Sequence, residues 1–287
     1  MDVGTHSGTG VILGSGAVAG GDVAVNKSER FAPLHRSAPL AQVRWYEQCL
    51  SDVRTESDWL SHAEVVRLEA ARIPKRRNDL RLGRWTAKRA VAAYLNLPSD
   101  RATLAAIELR PDASGAPSVF VADRPAPVAI SLSHRAARAV CAVAAPGALL
   151  GCDLEIAELR WNAFVTDYFT AEEQVLIARV AASQRWAVLA LLWSAKESTL
   201  KALRVGLRID TRQVVVESVG GLMKAANHVT RQFGSASSLE TWHRLRTRFE
   251  QRTFHGWWQS RGIFVRTMVS EPELGPPIPL RLIENSE

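Results

Sequence analysis

An α+β fold built from two similar halves is predicted by three observations on the sequence. From Trp45 onward, segments with helical periodicity and segments rich in β-branched residues occur on both sides of the chain's midpoint. The tetrapeptide Trp85-Thr86-Ala87-Lys88 recurs as Trp193-Ser194-Ala195-Lys196. Each copy lies in a helical stretch followed by a short loop and a strand-like run, Ala105–Leu109 after the first and Gln213–Val219 after the second. With 287 residues the chain can bury a large core, and a composition 47% hydrophobic and 23% charged is that of a globular protein.

The expected divisions are a variable extension at 1–40, an N-terminal half at 41–147, a C-terminal half at 148–270 and a tail at 271–287. Residues 1–40 are rich in Gly, Ala and Ser and carry no sustained period, which predicts a flexible segment. Within them, Gly14-Ser15-Gly16-Ala17-Val18-Ala19-Gly20 looks like a dinucleotide loop. Its glycine spacing is wrong for one, the preceding strand is too short, and no acid follows at the required distance. Helical segments are expected at Val43–Cys49, at Ser61–Ala71 and from Pro74 to Leu95, the last stopped by Asn96-Leu97-Pro98. Strands follow at Ala105–Arg110, Val128–Ser133, Ala139–Ala144 and Ala148–Ile156. Thr170-Ala171-Glu172-Glu173 has capping-box spacing and opens a helix to Val180; a longer helix covers Arg185–Arg204. Strands around Gln213–Val219, Thr241–Gln251 and Gly262–Val269 precede a Pro-rich tail.

The start of the chain has no basic leader, and apolar stretches such as Ala139–Leu150 are too short to span a bilayer, so no membrane association is expected. Cys49, Cys141 and Cys152 show neither metal nor redox spacing and read as reduced thiols of a cytoplasmic protein. A formal charge of +7 favours a polyanionic partner, whether a phosphorylated cofactor, an acidic protein or nucleic acid.

Three segments carry residues suited to chemistry. On the strand Gly151-Cys152-Asp153-Leu154-Glu155, alternation turns Asp153 and Glu155 to the same face. Such a pair is either a solvated edge or an oxygen-only site for a hard cation such as Mg²⁺, and the apolar flanks Ala148–Leu150 and Ile156 favour the cation. On the helix from Trp186 to Lys201, a turn of about 100° per residue sets Trp186, Leu189, Trp193 and Leu200 in one apolar stripe, with Glu197 only about 50° from its centre. A surface Glu197–Lys201 pair would need both residues on the wet face, whereas a carboxylate turned inward needs a compensating charge. Between Arg72 and Arg89, basic residues face a single acid, Asp79, and Arg77, Arg81, Arg84 and Lys88 align on one helical face. That clustering suits phosphate, which Arg binds with its planar fork. Ser131-Leu132-Ser133-His134-Arg135 adds further donors at a strand end.

Taken in order, these segments resemble the 4′-phosphopantetheinyl transferases of the longer, Sfp-type group. The motifs are the basic helix ending in Gly83-Arg84-Trp85-Thr86-Ala87-Lys88, the Gly115-Ala116-Pro117 turn, Ser131 to His134, Gly151 to Glu155, Phe169-Thr170 with Glu173, and Trp193 to Lys201. The resemblance covers Arg72 to Val216. It implies a pseudo-dimer of two α+β halves with the active site between them, acting as a monomer on coenzyme A and an acidic apo acyl or peptidyl carrier protein. Asp153, Glu155 and Glu197 would hold Mg²⁺. Arg76, Arg84, Arg110, Ser133 and His134 would bind coenzyme A, with Lys201 reaching its pyrophosphate. Glu197 and Lys201 would be catalytic, Glu197 as the base. Ala116 departs from the family, whose members often carry lysine there; Lys75 or Arg77 could supply the missing contact.

Two other classes compete. A nicotinamide dehydrogenase would rest on residues 14–20 alone. A basic nucleic-acid-binding module would account for the charge and the nine tryptophans, but leaves Asp153, Glu155 and the inward Glu197 without a purpose. No nucleic-acid partner is therefore expected.

Overall fold

The computed structural model describes residues 41–158, 160, 162–221 and 241–281; the glycine run at 14–20 and the rest of the expected extension lie outside them. The first part of the chain forms β1 (Arg44–Cys49), α1 (His62–Ala70), α2 (Pro74–Tyr94), α3 (Arg101–Ala106), β2 (Ile107–Pro111), β3 (Pro117–Val121), β4 (Arg124–Pro125), β5 (Ala129–Arg135) and β6 (Arg138–Ala144). The second forms β7 (Leu149–Ile156), α4 (Asn162–Tyr168), α5 (Ala171–Arg179), α6 (Arg185–Ala202), β8 (Val214–Val219), β9 (His243–Phe249), β10 (Arg252–Arg261), β11 (Phe264–Glu271) and β12 (Ile278–Pro279). The fold is therefore mixed α and β.

Among the described residues, three sheets run in the orders β12-β1-β6-β5, β2-β3-β4 and β7-β11-β10-β9-β8. Helix α2 lies on β6 and β1, and α6 lies on β7 and β11. Trp59, Trp85, Val91, Ile107 and Cys141 fill the core around α2. Leu191, Ala195, Phe254, Trp258 and Val265 fill the one around α6. Between the two large sheets, Val43, Trp45 and Val140 meet Cys152, Leu154 and Met268. The described residues fall within one compact unit.

One construction occurs twice. Ser61 caps α1 by accepting from the Glu64 amide at 3.3 Å, and Glu64 Oε2 accepts from the Ser61 amide at 3.1 Å. Thr170 and Glu173 do the same for α5, at 3.3 and 2.9 Å. Each capping glutamate is buried and ion-paired with a fully buried lysine of the following long helix: Glu64 with Lys88 at 2.5 Å, Glu173 with Lys196 at 2.8 Å. Its other oxygen accepts a strand amide, Leu109 on β2 in one case and Val216 on β8 in the other. Lys88 also donates to the carbonyls of Trp59 and Leu104, and Lys196 to those of Thr211 and Val214. Every charge is thus matched and hydrogen-bonded, the condition for keeping an ion pair in a core.

Most expected elements appear within a residue or two. The helix expected at Val43–Cys49 is instead strand β1. It lies between β12 and β6 with Trp45 in one core and Tyr46 in another, so burial on both faces hides the two-residue alternation. Strand β10, unassigned from sequence, is central in its sheet. Gly256 interrupts its pattern because a Cβ there would fall 2.1 Å from the Met268 carbonyl oxygen of β11. Helices α3 and α4 and strands β3, β4 and β12 were also not foreseen; β12 lies in the Pro-rich tail, whose proline suits an edge position.

Candidate active site

A glycine sets the geometry. At Gly151 a Cβ would fall 1.7 Å from the Ser198 carbonyl oxygen and 2.7 Å from the Ala202 amide nitrogen of α6. Only glycine lets that helix lie directly on β7, and the close approach carries Glu197 and Lys201 to the strand that bears Asp153 and Glu155.

Asp153 is 4% exposed. Its Oδ1 accepts from Ser133 Oγ at 2.8 Å and from Lys201 Nζ at 2.7 Å, while its Oδ2 is buried with no hydrogen-bond partner among the described residues. Glu155 pairs with Arg160 at 2.9 Å and lies 3.6 Å from Arg135 Nε. Burial, reinforced by the charge of Asp153, raises its pKa. Burial also lifts the Glu197 carboxyl to about 7, with Asp153 and Glu155 adding to the rise and Lys201 opposing it. Burial acts to lower the Lys201 pKa, but Asp153, Cys152 and Glu197 hold the ammonium above its ordinary range. These four side chains therefore share one electrostatic neighbourhood.

The second component is a cavity of about 850 Å³ at the N-terminal end of α2. Arg76, Arg84, Arg110 and His134, all expected from sequence to bind phosphate, line it. Arg67 of α1 and Arg72 line it as well, giving five arginines against one acid, Asp79. Arg67 had no motif to mark it; only the packing of α1 on α2 brings it in. Gly115 and Pro117 form part of the wall, with Gly115 at φ +88° in the turn. Ala116 directs its amide to Asp112. Arg72 and Arg76 have no ion-pair partner among the described residues, whereas Arg84 is paired with Glu64 at 3.2 Å. Arg110 is compensated by Glu108 and Asp123 and lies 4.3 Å from the Phe120 ring centre. Burial lowers the pKa of His134, partly offset by Asp79, with Lys201 lowering it further.

Several basic residues of α2 have other tasks. Lys88 is in the core with Glu64, and Arg81 clamps the 54–57 loop through the carbonyls of Arg54, Thr55 and Glu56 and the Ser57 hydroxyl. Arg77 donates to the Ala71 carbonyl, and the exposed Lys75 pairs with Asp79. Ser133, expected beside His134 as a phosphate contact, points to Asp153. Consecutive residues of a strand face opposite ways, so Leu132 and His134 take the cavity side of β5 and Ser133 the carboxylate side.

A family model described as the 4′-phosphopantetheinyl transferase superfamily matches residues 149–252. That segment contains Asp153, Glu155, Glu197 and Lys201 but not the arginine-lined cavity. No curated protein matches the chain.

Proposed function

We propose that the protein transfers the 4′-phosphopantetheine group of coenzyme A to a serine of an apo acyl or peptidyl carrier protein, releasing adenosine 3′,5′-bisphosphate. In this reading the two long helices with their buried Lys–Glu pairs belong to two related α+β halves, arranged as in the Sfp-type enzymes, in one cytoplasmic monomer. The observation that carries it is the junction at the end of β5. On one side lies a cavity with five arginines, and on the other a group of carboxylates that includes Glu197 with a pKa of about 7. A phosphorylated nucleotide substrate needs the first, and removal of a proton from a hydroxyl at neutral pH needs the second.

Among the described residues, no three His, Cys, Asp or Glu side chains are grouped as a metal cage. The donor chemistry nevertheless fits a hard divalent cation: three carboxylates, one with a buried unpartnered oxygen and two with raised pKa values. Asp153, Glu155 and Glu197 would hold Mg²⁺, which when bound would neutralise charge on the pyrophosphate.

The chain's own residues account for the remaining steps. The arginines grip the phosphates of coenzyme A, with Arg72 and Arg76 bringing charge not already matched among the described residues. His134, held neutral, donates one N–H. The carrier serine oxygen attacks the phosphorus that carries the pantetheine arm, a new P–O bond forms, and the bond to the bridging oxygen of the nucleotide phosphate breaks. Glu197 takes the serine proton, and Lys201 faces the negative charge that accumulates on the departing bisphosphate. A basic protein also attracts acidic carriers.

The test is mass spectrometry of several purified apo-carriers incubated with the protein, coenzyme A and Mg²⁺. A gain of about 340 Da on one serine is expected for the transferred group. No gain on any carrier would overturn the proposal.

A further inference from the structure

Strands β5 and β7 run side by side but belong to different sheets. Two serines of β5 join them. Ser131 Oγ accepts from the Cys152 amide at 2.8 Å, and two residues on, Ser133 Oγ donates to Asp153 Oδ1 at 2.8 Å. The two-residue strand period puts both hydroxyls on the same side, so Ser131 sets the register of the β7 backbone and Ser133 meets the side chain of the next residue. Lys201 Nζ donates to the same Oδ1. One oxygen of Asp153 therefore takes both donors while the other, which is buried, takes none among the described residues. Leaving a buried carboxylate oxygen without a partner is costly, and here the two bonds on Oδ1 hold the side chain in that orientation.

Resting on the functional reading above, we propose that Ser133 is a positioning residue for the candidate metal centre and not a phosphate contact. With Lys201 it fixes one oxygen of Asp153 and so reserves the other for a divalent cation. The mode is that of an outer group that orients a ligand, whose loss typically weakens metal affinity about 10–100-fold. Lys201 alone cannot do this firmly, because its flexible four-carbon stem allows the carboxylate to turn, whereas Ser133 is buried on a strand.

The experiment uses the full chain and measures binding, not turnover. Mn²⁺ affinity is read by electron paramagnetic resonance without coenzyme A, and coenzyme A affinity by calorimetry without divalent cations. Ser133→Ala should weaken Mn²⁺ at least about 10-fold and leave coenzyme A affinity unchanged. His134→Ala, on the opposite face of the strand, should do the reverse. The proposal is overturned if Ser133→Ala binds Mn²⁺ as the wild type does, if it loses coenzyme A affinity as His134→Ala does, or if the wild type binds no Mn²⁺. A wild-type protein with this metal pattern but no transfer to any carrier would sink the transferase reading and leave the assignment of Ser133 standing.

Discussion

Helices α2 and α6 begin from the same plan and end in different uses. Both bury a lysine against the capping glutamate of the preceding helix, and that glutamate ties both helices to a strand amide. One residue past the lysine they part: Arg89 follows Lys88 and lies 5.1 Å from the Trp85 ring centre, whereas Glu197 follows Lys196 and faces Asp153 and Glu155. Four residues further on, α2 has Ala93 and α6 has Lys201, which is bonded to Asp153. The shared part of the plan holds each helix in place; the part that differs confines the candidate chemistry to one side of the molecule.

That division can be broken most directly at the lysines. Lys196→Met should cost about 3–5 kcal/mol of stability, because it leaves buried Glu173 without its counter-charge, and Lys88→Met should cost less, because Arg84 still faces Glu64. Urea unfolding should show Lys196→Met as the less stable of the two variants. Adding Glu173→Gln to Lys196→Met should recover much of the loss, since a neutral pair has no charge to compensate. A Lys88→Met loss as large as that of Lys196→Met would show that Arg84 does not compensate Glu64.

The next comparison is between Glu197 and Arg89. Glu197→Gln keeps the shape and removes the charge, and should lower turnover at least about 100-fold, the low end for losing a general base. Arg89→Gln, at the matching position of α2 and outside both the cavity lining and the carboxylate group, should leave turnover within about twofold. Near-normal turnover in folded Glu197→Gln would remove that residue from the mechanism.

A smaller effect separates the cavity from the carboxylates. Arg84→Ala should raise the KM for coenzyme A about 10-fold or more, as expected for losing a charged hydrogen bond of about 1.5–3 kcal/mol, with kcat changed less. An unchanged KM would place the phosphate grip at Arg72 and Arg76.

Some side-chain placements were legible in single elements of the sequence. Asp153 and Glu155 follow from strand alternation, and Glu197 from helical phase, because neighbours within one element suffice to orient them. Arg76, Arg84, Arg110 and His134 were also legible and do line one cavity. Lys88 and Arg81 were misleading: a basic helical face looks the same in sequence whether its partner is a phosphate or, as here, Glu64 and the 54–57 carbonyls. The bond of Ser133 to Asp153 was hidden for a related reason, since nothing local says that β7 will lie beside β5. In the fold, β1 was lost because both its faces are buried, and β10 because Gly256 answers to the backbone of β11 and not to its own strand.

The smallest expected effect is on stability and comes again from Glu197, which α2 replaces with Arg89. Burial and the neighbouring carboxylates raise its pKa from 4.5 to about 7. Between those values the folded protein retains a proton that the unfolded chain has already released, so raising the pH across this window destabilises the fold, and the loss levels off above pH 7. Other groups titrate nearby, His134 in the opposite sense, so the useful quantity is the difference between wild type and Glu197→Gln in chelator. Glutamine has no proton to lose, and the variant should match the wild type near pH 4.5 and exceed it increasingly up to pH 7. With the side chain in partial contact with water, the gap should be about 1 kcal/mol, or about 2–4 °C in Tm for a chain of this size. Mg²⁺ added at pH 7.5 should narrow the gap from the wild-type side by matching the crowded carboxylates. A gap independent of pH would mean that Glu197 is ionised at its ordinary pKa, and the crowding of charge that distinguishes α6 from α2 would lose its main support.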